Sequence, residues 1–380
     1  MKFFKLIRRN LFRNKLRAIL TMLLLAVIFF LVSTLMSILD SFDSFSNSGQ
    51  GANRIVVQSA ISLANSLPYS YEQKLRALPG VVDVAKLQWI GAYYKDKRNF
   101  FANFAVDHDH FATVFDDYKT EPKTFADWQQ DRRGALVGKD LMERFHWKVG
   151  DRITLSRQIF PYDADLTIRA VYEHPVNGAC VYYHMDYHNE SMHAYSQVGT
   201  FWLKVKNARD MAPLSQQIDA MFKNSDYPTE TFTEKEFQAN FLSMMGNIKL
   251  LFTAISACAI FMVVLLAAIT MSMSARERVT EIAVLKAIGF EKRLVLTIML
   301  TEFMLLTMIG GALGAGGAKL LFMGVNMTKV TAGFIANFSI HGTTIATCML
   351  IAAAVGLVAG GLPALRASNL SVVNGLRRVV

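Results

Sequence analysis

Four stretches of this chain are nearly unbroken runs of apolar residues, and the remainder alternates apolar and polar positions over short distances. The first run, AILTMLLLAVIFFLVSTLMSIL, extends from Ala18 to Leu39. The second, LLFTAISACAIFMVVLLAAITMSM, covers Leu250–Met273, and the fourth, TTIATCMLIAAAVGLVAGGL, covers Thr343–Leu362. The third begins near Leu294 and is interrupted by Glu302 and Lys319. Apolar runs of about 18 or more residues match the thickness of a bilayer core. They predict spans at 18–40, 249–273, 291–323 and 343–365. The first run is long for a signal-peptide core, and no small-x-small cleavage site follows SILDSFDS, so it reads as a retained span.

Between the first two spans, residues 41–248 have a different texture. RIVVQSA, NFFANFAVD, DLTIRAVYEH and TFWLKVKN read as strands. A helix over Tyr71–Leu78 leads to a Pro79-Gly80 turn and another strand. GALVGKDLMERFHWKVGDRITL reads as strand, short helix, Gly150-Asp151 turn and strand; a further helix follows over Met211–Lys223. The expected fold is thus a four-helix membrane protein carrying a large α+β domain of two subdomains. Segments 50–105 and 198–240 would form one subdomain, with 106–197 inserted as the second.

Charge orients the spans. Lys2, Lys5, Arg8, Arg9, Arg13, Lys15 and Arg17 precede the first span without an acid. Arg276, Arg278, Lys286, Lys292 and Arg293 follow the second, and Arg366, Arg377 and Arg378 follow the fourth. With four spans all three segments share one side, which the positive-inside rule makes cytoplasmic, both termini included. Residues 42–247 carry 22 basic and 25 acidic residues, so the formal charge of +10 belongs to the cytoplasmic face. That distribution points to lipid headgroups and excludes a nucleic-acid role. Residues 1–17 place Phe3, Ile7 and Leu11 on one helical face opposite Lys and Arg, the pattern of an interfacial helix or a plain basic flank. The tail is 366–380, and a short outer loop, 324–342, joins the last two spans.

One polar segment stands out. SMSARERVTEIAVLKAIGFEKR, Ser272–Arg293, holds eight charges between two spans. Ser274 and Glu277 have capping-box spacing and Gly289 is placed to end the helix. The expected helix, 274–290, has about 14 helical residues and a length of roughly 21 Å. Arg278 and Glu281 can pair on its surface. Its apolar residues spread around it, so it has several contacts to make. A plain connector needs no such helix; docking to a cytoplasmic partner does.

These residues resemble the core of the FtsX-like permease family. The segment SARERVTEIAVLKAIGFEKRLVLTIMLTEFMLLTMIGGALG carries the family pattern at Arg276, Glu277, Arg278, Glu281, Ile282, Lys286, Ala287, Gly289, Glu302, Gly310, Gly311 and Gly314. The ending LPALRASNLSVVNGLR matches through Pro363, Ala364, Arg366, Ala367, Val372, Leu376 and Arg377. LRALPGV and GDRITL resemble the MacB-type periplasmic core. The resemblance implies the membrane subunit of an ABC transporter in a bacterial inner membrane, with helix 274–290 coupled to an ATPase through Arg276, Glu277, Arg278, Glu281, Ile282, Lys286 and Gly289. The sequence contains no G-x-x-x-x-G-K-[ST] loop, so ATP and Mg would reside on separate ATPase chains, two copies per assembly. A second permease copy or paralogue, and in a Gram-negative cell a periplasmic adaptor, complete the expected partners. The implied work is mechanotransmission that exports or extracts an amphipathic drug, lipid, lipoprotein or peptide. The alternative is an FtsX-like regulator that passes ATPase state to a cell-wall hydrolase.

The remaining chemistry is sparse. Glu302 reads as pairing with a helix partner, or as packing or snorkelling near the inner interface; a proton relay would need partners of its own. Gly310 with Gly314, and Gly356 with Gly360, permit close helix approach, within the chain or between copies. His174, Cys180, His184, His188 and His193 cluster in a tyrosine-rich segment, 174–193. His184 and His188 would share a helical face, yet a tyrosine-rich contact loop outweighs a metal site there. Cys180 is the one cysteine outside the spans and cannot form an internal disulfide. No catalytic constellation and no cofactor site emerges, so no enzyme activity is expected of this chain.

Overall fold

The structure is a computed structural model that describes residues 15–46, 53–174, 177–193, 196–244, 247–325 and 338–369. Residues 1–14 of the interfacial helix read at 1–17, most of the outer loop 324–342 and the tail beyond Asn369 lie outside these residues. The chain forms two compact units: a sheet unit within Ser41–Gly246, and a membrane unit from the first helix and the segments after Asn247.

Helix α1 (Lys15–Ser46) precedes the sheet unit. That unit runs β1 (Arg54–Ser59), β2 (Leu67–Pro68), α2 (Ser70–Arg76), β3 (Val81–Trp89), β4 (Tyr93–Tyr94), β5 (Ala102–Val106), α3 (Phe111–Val114), β6 (Lys119–Thr120), α4 (Pro122–Gln130), β7 (Gly134–Gly138), α5 (Lys139–Phe145), β8 (Arg152–Ser156), β9 (Ala164–Glu173), β10 (Cys180–His184), α6 (Met185–Ser191), β11 (Gln197–Val198), β12 (Thr200–Val205), α7 (Met211–Phe222), β13 (Thr229–Thr233) and α8 (Glu234–Met244). The turns at Gly80 and Gly150 hold φ of 94° and 98°, a region glycine enters without a Cβ clash.

Strands follow the order β13-β1-β12-β3-β5-β10-β7-β9-β8-β4, with β6 pairing β9. The segments expected as one subdomain supply β13, β1, β12 and β3 at one end. The expected insertion supplies most strands at the other. The β3–β5 pairing, Leu87 opposite Val106, joins them into a continuous sheet, so no break in the hydrogen-bond ladder separates two subdomains.

Alternation along each strand serves two cores, because successive side chains point to opposite faces. Ile55, Val57, Val84, Val181 and Phe201 fill one face under α2 and α7, where Tyr71 stacks on Phe222 at 3.9 Å. Val56, Ala85, Leu136, Tyr182 and Trp202 fill the other with Phe111 of α3 and Trp128 of α4.

The membrane unit adds α9 (Ile248–Glu277), α10 (Val279–Ala287), α11 (Lys292–Gly324) and α12 (Gly342–Ser368). With α1, four helices among the described residues are long and apolar enough to cross a membrane, which makes this a multi-pass membrane protein. Leu23, Phe261, Leu313 and Leu350 point outward, as lipid permits. Inward, α9 contributes one row at every fourth residue: Ala259, Val263, Ala267, Met271 and Ala275. That row corrects an expectation. Ser274 and Glu277 do not cap a new helix; α9 continues through both, and the break falls at Arg278. Capping would need extended backbone at Ser274, which would pull Ala275, 7% exposed, off the buried row.

Candidate functional site

Helix α10 is anchored at both ends. At its start, Arg278 caps α9 and α10 with φ −102° and ψ 12°. Its guanidinium donates from Nη1 to Glu302 Oε2 at 2.6 Å and from Nη2 to Oε1 at 2.8 Å. The two side chains are 16% and 10% exposed. A carboxylate buried on an apolar helix is costly unless paired, and a two-pronged guanidinium is the strongest pairing a side chain offers. Arg278 therefore reaches across to α11, where the sequence suggested a bond along the helix to Glu281. Glu302 is an ion-pair partner and not a snorkelling residue.

At the other end Gly289 takes φ 99°. Its N–H donates to Lys286 O at 3.2 Å and Phe290 N–H donates to Leu285 O at 3.0 Å, the paired bonds of a Schellman ending. Lys286 Nζ donates to Ser368 O at 2.9 Å, at the carbonyl end of α12 where the helix dipole favours a cation.

Between these anchors the helix has two faces. Val279, Ile282 and Ala283 are buried. Thr280, Val284, Ala287 and Ile288 lie opposite and exposed, Val284 at 47% and Ile288 at 68%. Arg276 and Glu277 are exposed at the end of α9, and Glu281 is half-buried. The apolar residues that seemed scattered in the sequence thus divide into an inward stripe and an outward pair.

The glycines act within the chain. A Cβ on Gly310 would meet Leu25 Cβ at 2.6 Å; one on Gly314 would meet the Ala26 carbonyl, and Phe29 Cβ at 2.8 Å, so this face of α11 lies against α1. A Cβ on Gly356 would meet Thr307 Oγ1 at 2.7 Å and one on Gly360 Phe303 Cδ1 at 3.1 Å, which seats α12 on α11. Phe30 stacks on Phe322 at 6.1 Å, and Thr344 Oγ1 donates to Asp40 Oδ2 at 3.2 Å.

Residues 18–221 match the family described as MacB-like periplasmic core domain, and residues 253–372 the FtsX-like permease C-terminal family. The chain belongs to the FtsX/MacB-type permeases. It is 37% identical over 111 residues to the uncharacterized ABC transporter permease YvrN of Bacillus subtilis, covering 28% of this chain and 25% of that one. It is 26% identical over 176 residues to the uncharacterized ABC transporter permease MJ1507 of Methanocaldococcus jannaschii, covering 46% and 44%. The chain thus spans less than half the length of these curated relatives. The periplasmic region of MacB from Actinobacillus actinomycetemcomitans is similar over 51% of this chain and 95% of that one, with a TM-score of 0.39 and 9% identity.

In this FtsX/MacB-type permease residues 181–185, Tyr187 and His188 of the histidine- and tyrosine-rich segment are buried, while Asp186, Glu190 and His193 are exposed. His184 ends β10 and donates from Nε2 to Trp128 O at 2.7 Å; His188 lies on α6 with Nδ1 2.6 Å from Tyr162 Oη, itself 2.6 Å from Tyr183 Oη. The two imidazoles do not share a helical face, and the segment is no surface loop. Burial pushes both down to about 4. Among the described residues no group of three His, Cys, Asp or Glu is placed to hold a metal. Burial raises the half-buried Cys180 thiol to about 12, which keeps it protonated at neutral pH.

Little in the sequence announces Arg54, a fully buried arginine of the sheet unit. Arg54 opens β1 and lies between Asp117 and Glu234, 63 and 180 residues away. Burial works to lower the guanidinium, and the two carboxylates overcome it and raise it; Asp117 is held well below the carboxylate range. The one local hint was a charge opening the strand RIVVQS.

Proposed function

We propose that this permease is the membrane subunit of an ABC transporter, and that α10 is the segment a separate cytoplasmic ATPase grips. The outward face of α10 supports this most directly: Val284 and Ile288 are exposed on a short helix fixed by Arg278–Glu302 at one end and Lys286–Ser368 at the other. An apolar pair on a rigid helix beyond the end of a span is suited to a groove on a soluble partner. Fixed ends keep a push on that helix from being spent in bending it.

In this account two ATPases carry ATP and Mg, and a second permease copy or paralogue completes a symmetric assembly. The stroke enters at α10 and travels along α9, which leads back along the chain to the sheet unit. That unit faces the outside of a bacterial inner membrane. There it extracts or exports an amphipathic substrate, with an adaptor in a Gram-negative cell. Nothing need pass between the helices: the intramembrane acid Glu302 is engaged by Arg278 in a static pair.

The test is a Val284→Asp, Ile288→Asp double variant, purified with its ATPase in nanodiscs. Wild type should retain an ATPase identified by mass spectrometry through its phosphate-binding loop, with a hydrolysis rate that depends on the permease. The variant should lose both while eluting as a folded protein. Retention of complex and rate would remove α10 as the docking element.

A further inference from the structure

Arg54 stands where three parts of the sheet unit meet. It is the first residue of β1, the strand that follows α1. Glu234 is the first residue of α8, the helix that precedes α9. Asp117 lies just beyond α3, at the neighbouring edge of the guanidinium. Nε donates to Glu234 Oε2 at 2.6 Å and Nη2 to Oε1 at 3.1 Å. Nη1 and Nη2 donate to Asp117 Oδ1 and Oδ2 at 2.5 and 2.9 Å. Nη1 also reaches Val114 O at 3.2 Å. These five bonds use all five N–H donors, and the Phe115 ring lies 5.2 Å away.

The carboxylates are braced in turn. His174 Nδ1 accepts the Asn177 N–H at 2.9 Å, so in the neutral ring Nε2 carries the proton and faces Asp117 Oδ2 at 3.3 Å. Gln238 Nε2 donates to Glu234 Oε1 at 3.2 Å. The start of α8 is fixed by a capping box in which Glu236 accepts from Thr233 N and Oγ1, both at 2.9 Å.

Two forks on adjacent edges of one planar cation, sharing Nη2, fix orientation, not only distance. Replacing a buried ion pair by apolar residues of similar volume is often neutral or stabilising, so stability alone is a weak account of this network, in which the Arg54 side chain is 1% and that of Asp117 32% exposed. What the triad adds is directional rigidity at the place where the chain enters and leaves the sheet unit.

We propose that Arg54 is a positioning residue for the power stroke: it joins β1, α8 and the turn after α3 into one body. A displacement arriving along α9 then moves the sheet unit whole instead of being absorbed at its strand ends. The stroke half of this rests on the ATPase-driven role proposed above; the joint does not.

The experiment uses the full chain with its co-purified ATPase in nanodiscs, spin-labelled at the exposed Asp127 on α4 and Lys235 on α8. Pulsed EPR reads their separation, nucleotide-free and trapped with an ATP analogue. Wild type should show one narrow distance in both states. Arg54→Lys, which keeps the charge and loses the fork, should broaden it without nucleotide and shift it on trapping, with the ATPase rate unchanged. Glu234→Gln, the gentler variant, should do the same to a lesser degree. A narrow, state-independent distance in both variants overturns the joint, as does a wild-type distance that shifts on trapping. Broadened variants beside an ATPase whose rate ignores the permease would overturn the transport role and leave the joint standing.

Discussion

Arg54 in the sheet unit and Arg278 in the membrane unit both meet carboxylates, and they do it differently. Arg54 has two acids, a backbone carbonyl and an aromatic ring around it, and its side chain is 1% exposed. Arg278 forks to Glu302 of α11 at the joint between α9 and α10. The packing around them differs in the same sense. The sheet unit interlocks rings, with Phe111 at 5.5 Å from Tyr118, 5.6 Å from Trp128 and 5.2 Å from Tyr182. The membrane unit brings helices together on Gly310, Gly314 and Gly356. In water, burying large apolar groups drives folding, and a polar network can be afforded inside the result. In lipid that drive is absent, so close backbone approach and one directional ion pair hold the helices. Under the proposal above the Arg54 network braces the sheet unit as one body, whereas Arg278 sits at the break between α9 and α10.

The largest test of this contrast is Arg54→Ala. It strands Asp117 and Glu234 and should cost about 3–5 kcal/mol. All four tryptophans, Trp89, Trp128, Trp147 and Trp202, lie in the sheet unit, so tryptophan fluorescence in a urea titration of the full chain reads it alone. Arg278→Ala should leave that transition unchanged; a shared loss would erase the distinction between body and joint.

Acid should weaken the sheet unit next. Unfolded, His184 and His188 titrate near 6.5; folded, burial holds them to about 4. Their contribution is complete above pH 6.5 and disappears as the pH falls to 4, where the unfolded state takes the proton first. Each is worth about 3 kcal/mol across that window. Asp107 and Asp140, which burial raises, oppose the loss in part. The fluorescence midpoint should fall between pH 6.5 and 4, and His188→Gln should flatten the slope.

In the membrane unit, Gly314→Val should cost about 1–3 kcal/mol, since the added Cβ meets the Ala26 carbonyl and Phe29. Gly317→Ala, with nothing within 4 Å, is the control. Thermal stability in detergent separates them. The smallest effect expected is Lys286→Gln, about 1 kcal/mol for the bond to Ser368 O.

These tests also mark what the sequence made visible. The spans were plain because lipid demands uninterrupted apolar runs of fixed length. The turns at Gly80 and Gly150 were plain because glycine is cheap there. Arg54–Glu234 was invisible because nothing local announces a pairing across 180 residues. The Ser274 capping signal misled because packing along the Ala259–Ala275 row outweighed a local cap. Arg278 and Glu302 were both singled out, yet their pairing was not. Helix spacing favours partners three or four residues away and is silent on a neighbouring helix.

The account's central claim is that an ATPase grips α10. A photo-crosslinking residue at Ile288 in the full chain, expressed with its native partners, tests it most directly. The prediction is an adduct with an ABC-type ATPase, identified by its peptides. The same probe at Leu357, 51% exposed in the middle of α12, should give none. An Ile288 probe that crosslinks only lipid, or only a second copy of the permease, would contradict the account.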